Sequence, residues 1–454
     1  MSTLTEEATV PVTEPIRAVG PVETTTLLRI ATAGSVDDGK STLVGRLLYD
    51  SKSVLTDQLD AVERVSRDKG YDVTDLALLT DGLRAEREQG ITIDVAYRYF
   101  ATARRSFVLA DCPGHVQYTR NTVTGASTAD VVVLLVDARK GLLEQTRRHL
   151  AVAALLRVPH VVVAVNKIDL VDWSQDRFAQ IAADLRRAAG ALGVAEDAVH
   201  AVPVSALRGD NVVDPSGNTP WYDGPTLLEL LETLPAADSA ESGSFRLAVQ
   251  HVVRPRTDDD LFRDYRGYAG QVAAGVVRPG DAVVVLPSGR RTTVVGIDTA
   301  DSLAAGRDTL PAAYAPQSVT LRLADDVDVA HGDLLAAADD APVPTQDVTA
   351  TLAWLADRPL AARTTVLLKH GTRTVKAQVR EIPGRIDLDS LHGDTVGLTA
   401  TDRLDLNDLG RVVLRLAAPV PVEPYARARR TGAFLLIDPD DGATLAAGMV
   451  TAAG

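Results

Sequence analysis

The sequence has 454 residues, of which 46% are apolar and 24% charged, with a formal net charge of −14. That length excludes a single core and implies roughly two to four domains of ordinary globular composition. The acidic balance argues against broad attraction to nucleic acid, and the longest apolar runs, such as Val131 to Val136, are far too short to span a membrane.

Residues 1–25 carry acidic residues, Thr and Pro, without a basic region followed by an apolar one, so they read as a flexible tail rather than a secretion signal. From there to about Leu234, apolar runs alternate with helical patterns. The runs Leu28–Ala33, Ser106–Ala110, Val131–Asp137, His160–Asn166 and His200–Val204 predict a doubly wound parallel sheet. A linker-like stretch, 235–244, follows. Beyond it the period changes to two, in Phe245–Val253 and Asp281–Leu286, with turns at Arg278–Asp281 and Pro287–Arg290. A second break at 338–344 precedes another strand-rich segment. The expected plan is an α/β P-loop domain over 26–237, then two β-barrel domains over 245–337 and 345–454. The single cysteine, Cys112, rules out an internal disulfide and points to a reducing, cytoplasmic setting.

Gly34-Ser35-Val36-Asp37-Asp38-Gly39-Lys40-Ser41, followed by Thr42, fits the P-loop pattern between a strand and a helix. Its glycines let backbone N–H groups turn inward around phosphates, and the helix N-terminus adds partial positive charge. Lys40 would reach the β and γ phosphates, and the Ser41 hydroxyl would sit on Mg²⁺. Asp111-Cys112-Pro113-Gly114-His115 follows the next strand. Asp111 can hold the magnesium through water, the Gly114 amide can sense a γ-phosphate, and His115 is the candidate to position the attacking water. Cys112 reads as a packing residue. Thr92, in Glu86–Ile93, alone would read as a strand residue; its place between the two motifs makes it a magnesium ligand in a loop that responds to the γ-phosphate.

Asn166-Lys167-Ile168-Asp169 ends a further strand. A carboxylate at Asp169 can accept from guanine N1–H and its exocyclic amine together, donors that adenine does not pair in this way. Asn166 can brace the loop, the Lys167 stem can cover the purine face, and Ser205-Ala206-Leu207 can offer backbone N–H groups to the guanine oxygen. With every loop at a strand's C-terminal end, the motifs share one sheet edge, where such folds bind ligands. The implied ligand is GTP with Mg²⁺.

This motif set, with His115 behind Asp111–Gly114 and two β domains following, resembles the translational GTPases such as elongation factor Tu. Other segments resemble the large, regulatory subunit of the heterodimeric bacterial sulfate adenylyltransferase. They include Gly45–Lys52, Val116–Asn121, Thr124–Ser127, Asp137–Gly141 with Gln145–His149, Trp221–Leu228, Leu406–Val412 and Thr431–Asp438. The resemblance covers essentially everything after Thr26. Two departures are Cys112, where that subunit often has Thr, and the acidic stretch 257–264, which lengthens a loop. Arg148 stands where elongation factors usually carry an acidic residue.

The resemblance implies a cytoplasmic GTPase of sulfate assimilation, leading toward cysteine biosynthesis. Its small catalytic partner subunit makes adenosine 5′-phosphosulfate and diphosphate from ATP and sulfate; no membrane or nucleic-acid partner is expected. The seven lysines include no second P-loop, in keeping with an ATP site on the partner. The chain's end just after the last apparent strand gives the expectation of no fused kinase domain. Two alternatives remain open at this level. A GTPase that only switches would leave His115 idle. An elongation factor delivering aminoacyl-tRNA needs basic surface, and the only short cluster is Tyr425-Ala426-Arg427-Ala428-Arg429-Arg430, which reads as a solvated or partner-facing turn.

Overall fold

Runs of Val, Leu and Ala become the strands of a central sheet because both faces of that sheet are covered. In the computed structural model, which describes residues 26–52, 62, 64, 76–79, 94–115, 119–236, 243–255, 264–299, 309–387 and 397–453, these strands are β1 (Leu27–Gly34), β2 (Ala96–Ala101), β3 (Ser106–Asp111), β4 (Val131–Asp137), β5 (His160–Asn166) and β6 (Val199–Pro203). Their order is β2-β3-β1-β4-β5-β6. The 1–25 tail, Thr92 with the rest of 86–93, and most of the acidic stretch 257–264 lie outside the described residues.

Five strands are parallel as expected, but β2 runs antiparallel to β3, so the sheet is mixed. The reason is visible in β2 itself. Tyr97 and Tyr99 are exposed while Phe100 is buried against Phe107, the alternation of an edge strand with one open face. The interior strand β4 is buried at all seven positions. Val132, Leu134 and Val136 face one core; Val131, Val133 and Leu135 face the other.

The helices are α1 (Lys40–Asp50), α2 (Thr119–Ala126), α3 (Glu144–Leu155), α4 (Gln175–Ala191) and α5 (Leu227–Thr233). Helix α4 is capped by Ser174, whose side chain accepts from Arg177 N. Helix α5 opens on a reciprocal box between Thr226 and Glu229. Helix α1 has Gly39 at its N-cap, in the left-handed region, and no side-chain cap.

Behind this unit, six strands from Arg246–Val253 to Leu334–Ala337 close a barrel, with Leu286 of Ala282–Leu286 paired to Leu334 at the seam. A second ring runs through Thr365–His370, Ala433–Ile437, Thr444–Ala453, Thr345–Trp354, Leu409–Val420 and Arg373–Ile386, and the last of these returns to the first. The fold class is thus the expected one: a P-loop α/β domain followed by two β-barrels.

The three units are tied together. The core on the α2–α4 side of the sheet extends into the second barrel through Ala353, Leu409, Tyr425 and Met449. The Tyr425 hydroxyl donates to Leu156 O (2.9 Å), just past α3, and Arg429 donates to Ser127 O (3.3 Å), just past α2. Between the barrels, the buried Arg246 guanidinium makes a two-pronged bond to Glu423 (3.1 and 2.9 Å), and Thr431 donates to the same carboxylate (2.6 Å). Arg427 pairs with Asp340, and Arg430 donates to Gln271 Oε1 (3.3 Å). The basic cluster 425–430 is a turn with Arg427 and Arg430 exposed, and it also ties the units together. Arg429 reaches the nucleotide domain, Arg430 the first barrel and Arg427 the segment between the barrels, while Tyr425 is buried. These ties are not legible locally because the partners are 87 to 302 residues away.

Candidate functional site

Strand β1 runs straight into the P-loop, whose backbone only glycine can follow at two points. Gly34 has φ 150° with a would-be Cβ 2.9 Å from Leu135 O; at Gly39, φ is 93° and a Cβ would strike Asn166 Nδ2. Asp38 is buried. Its Oδ2 accepts from Ser35 N (2.8 Å), its Oδ1 has no hydrogen-bond partner among the described residues, and burial pushes its pKa up. Lys40 is buried as well, its ammonium donating to Gly34 O (2.9 Å) and Ser35 O (2.8 Å). Burial pulls the lysine pKa down, against the opposing charges of Asp38 and Asp111. Val36 and Asp37 are exposed at the loop tip, and Ser41 and Thr42 are half-buried in the first turn of α1. A buried ammonium whose hydrogen bonds among the described residues go to neutral carbonyls, at an uncapped helix N-terminus, fits a phosphate group.

Asp111, the last residue of β3, is buried and accepts from Thr32 Oγ1 (2.7 Å), while Cys112 N donates to that hydroxyl (3.3 Å). Beyond Pro113, the Gly114 backbone lies so close to Lys40 that a Cβ there would strike its ammonium. The Asp111–Gly114 loop thus meets the P-loop at the lysine, and half-buried His115 follows it. Cys112 is fully buried. Desolvation, with Asp111 adding to it, holds the thiol protonated, so it is a packing residue.

A layer beneath the P-loop was not legible as such in the sequence. Gly34 N donates to His149 Nδ1 (3.0 Å), and Ser35 Oγ pairs with Thr146 Oγ1 (3.3 Å), both from α3. With Nδ1 accepting, the neutral ring carries its proton on Nε2; Gln145 Nε2 lies 2.9 Å from that nitrogen, and reversing the amide would set its oxygen there to accept. Burial, then the charges of Lys40 and Arg148, push the His149 pKa down to about 3. The imidazole is neutral.

The third cluster lies beside the loop. Asn166 Nδ2 donates to Asp38 O (2.7 Å), and Ala206 N donates to Asn166 Oδ1 (2.9 Å). Lys167 sits in the left-handed region (φ 61°), its ammonium bonded to Asp37 O and paired with Asp137 (3.1 Å). Ile168 is core. The Asp169 carboxylate is partly buried and lies 3.6 Å from the exposed Arg208 guanidinium. Ser205 is buried, its backbone N donating to Asp210 O (3.2 Å), and Leu207 is exposed. Arg46 of α1 braces this loop through Ala206 O and Leu207 O. The structure therefore brings the P-loop, Asp111–Gly114, Asn166–Asp169 and Ser205–Leu207 to one sheet edge.

An α/β sheet with a P-loop, an Asp-x-Pro-Gly loop and an Asn-Lys-x-Asp loop at one edge, backed by two barrels, defines a P-loop GTPase of the elongation-factor class. The family model described as "Elongation factor Tu GTP binding domain" matches residues 25–237, and "GTP-eEF1A C-terminal domain-like" matches 347–451. A Mycobacterium tuberculosis protein named "Bifunctional enzyme CysN/CysC" is 53% identical over 427 residues, 94% of this chain and 67% of that protein. "Sulfate adenylyltransferase subunit 1" of Bacteroides fragilis is 46% identical over 93% of this chain and 86% of its own length; that of Aeromonas hydrophila is 48% identical with the same coverage. The chain belongs to the sulfate adenylyltransferase subunit 1 family.

Proposed function

We propose that this chain is the GTP-hydrolysing subunit of a sulfate adenylyltransferase, coupling GTP hydrolysis to formation of adenosine 5′-phosphosulfate and diphosphate from ATP and sulfate on a partner subunit. The observation that carries the reading is the convergence of Lys40, Asp111 and Asn166–Asp169 on one sheet edge, in a chain that aligns over nearly nine-tenths of relatives bearing that name.

Residues Gly34–Thr42 hold the phosphates, with Lys40 leaving the carbonyls of Gly34 and Ser35 to pair with phosphate oxygens. Ser41, Thr92 and, through water, Asp111 would hold Mg²⁺, which would supply neutralising charge at the β and γ phosphates. The Gly114 amide and Thr92 sense the γ-phosphate, and His115 orients the attacking water. Asp169 reads the guanine N1–H and amine, the Lys167 stem covers the ring, and the Leu207 amide meets the guanine oxygen while Ala206 N remains on Asn166. Movement of the Gly114 and Thr92 loops alters the surface offered to the small subunit. A cytoplasmic location fits the one buried cysteine; no helix among the described residues is long and apolar enough to cross a membrane. Delivery of aminoacyl-tRNA finds no support at the 425–430 cluster, whose arginines bond within the chain to Asp340, Ser127 O and Gln271.

The test is GTP hydrolysis by the purified chain with its co-purifying partner. Stimulation that requires ATP and sulfate together is expected. Indifference to both, with stimulation by aminoacyl-tRNA or ribosomes, would move the protein to translation.

A further inference from the structure

The roles assigned above leave out one buried carboxylate at the same sheet edge. Asp137 is the last residue of β4 and pairs in register with Asn166, the last of β5. Its side chain is fully buried yet accepts four hydrogen bonds or ion-pair contacts from two cations. Oδ1 takes Arg139 N (2.9 Å) and Arg139 Nε (3.0 Å); Oδ2 takes Arg139 Nη2 (2.6 Å) and the Lys167 ammonium (3.1 Å). Burial alone would raise its pKa, but these bonds hold it well below the usual carboxylate range.

The other end of the arrangement is the P-loop. Left-handed at φ 61°, Lys167 turns its side chain back over the sheet edge, and its ammonium also donates to Asp37 O. Its Cε lies 4.0 Å from where a Gly39 Cβ would stand. The four-carbon stem is thus stretched between the base-recognition loop and the phosphate loop, with both ends fixed. A free lysine stem samples many rotamers, and ordering it on binding weakens affinity. A stem fixed beforehand does not incur that cost.

We propose that Asp137 is a positioning residue for guanine-nucleotide binding, anchoring the Lys167 ammonium so that its stem forms a preset apolar floor for the purine. This rests on the reading that the edge binds guanine nucleotides. The competing role for Asp137 is confined to its own turn, where Oδ1 and the Asp137 carbonyl hold Arg139 N, Lys140 N and Gly141 N. The two roles differ in whether Asp137 acts through Lys167.

The experiment measures GDP affinity and dissociation for the full chain with Asp137→Asn, Lys167→Met and the double variant. Binding by the wild type tests the site reading separately; its failure would remove that reading, not this inference alone. With wild-type binding present, Asp137→Asn is expected to weaken GDP about tenfold, mostly through faster dissociation. The double variant should be no weaker than Lys167→Met alone, the non-additivity of residues that act as a unit. Losses that multiply, or an unchanged affinity in Asp137→Asn, would overturn the proposal. Arg139→Ala decides the matter should Asp137→Asn fail to fold. It loosens the turn but leaves Asp137 on Lys167, so affinity within about twofold of wild type is expected. A tenfold loss there would assign the effect to the turn and overturn the proposal.

Discussion

The neutral His149 beneath the P-loop gives the protein a defined acid sensitivity. In the unfolded chain a histidine titrates near about pH 6.5, whereas in the folded chain burial pushes His149 down to about 3. Protonation would place an N–H where Nδ1 now accepts from Gly34 N. Between these two values the unfolded state binds a proton that the folded state refuses. The stabilisation is therefore complete above about pH 6.5 and lost progressively as pH falls toward the folded value. From pH 7 to pH 5, His149 should cost the fold about 2 kcal/mol, the product of about 1.5 pH units and 1.36 kcal/mol per unit. His149→Gln keeps an acceptor for Gly34 N but does not titrate. Urea unfolding of wild type and variant at both pH values measures the difference. Other titrating groups, including buried His370 with its lowered pKa, are common to both proteins and cancel. The variant should lose about 2 kcal/mol less than wild type on acidification. Equal losses would refute the placement of a neutral His149 against the P-loop.

Replacing His115 with Ala should leave the GDP dissociation constant within about twofold and slow GTP turnover by at least about 100-fold, the scale of a positioned group in hydrolysis; equal loss of both would remove it from the water-positioning role. Asp169→Asn should shift preference from guanine to xanthine nucleotides, with GTP binding weakened by at least about tenfold, because the buried donor–acceptor pattern is inverted. Competition between GTP and XTP in equilibrium titrations reads this directly, and an unchanged GTP affinity would refute the base-site assignment. Arg208, exposed and 3.6 Å from the Asp169 carboxylate, must yield that carboxylate to guanine. Arg208→Ala should therefore tighten GDP by up to about fivefold, the scale of a surface ion pair, and a weaker complex would show that Arg208 holds the base instead.

What the sequence made legible follows from how far apart the interacting residues lie. Gly34–Ser41 and Asn166–Asp169 carry their spacing within eight residues, and the apolar runs before them read as buried strands. The structure sets β1 and β5 within a residue of the expected bounds. The barrels were readable from the change of period at Phe245 and from turns such as Arg278–Asp281, where Asp281 N bonds Arg278 O. His149 stayed hidden as a support because Gly34 is 115 residues away; a helical histidine reads as surface or core until its partner is known. Asp137 and Lys167 belong to different strand ends, and only the parallel register of β4 and β5 makes them neighbours. Strand β2 is hard to read because only Phe100 of its six residues is buried, so it lacks the apolar run of the interior strands. For Tyr425, an aromatic followed by arginines imitates a surface patch, and only the path of the chain reveals its burial.

Tyr425 has a consequence for engineering. Its ring fills a core that belongs jointly to the nucleotide domain and the C-terminal barrel, and its hydroxyl closes on the carbonyl of Leu156. An excised fragment spanning 26–236 would be left with an apolar socket facing water, a surface that invites aggregation. Chimeras that graft the nucleotide domain of one relative onto the barrels of another face the same constraint. The segment 425–429 must travel with Ser127 and Leu156, because the two halves of that socket are cut from different ends of the chain.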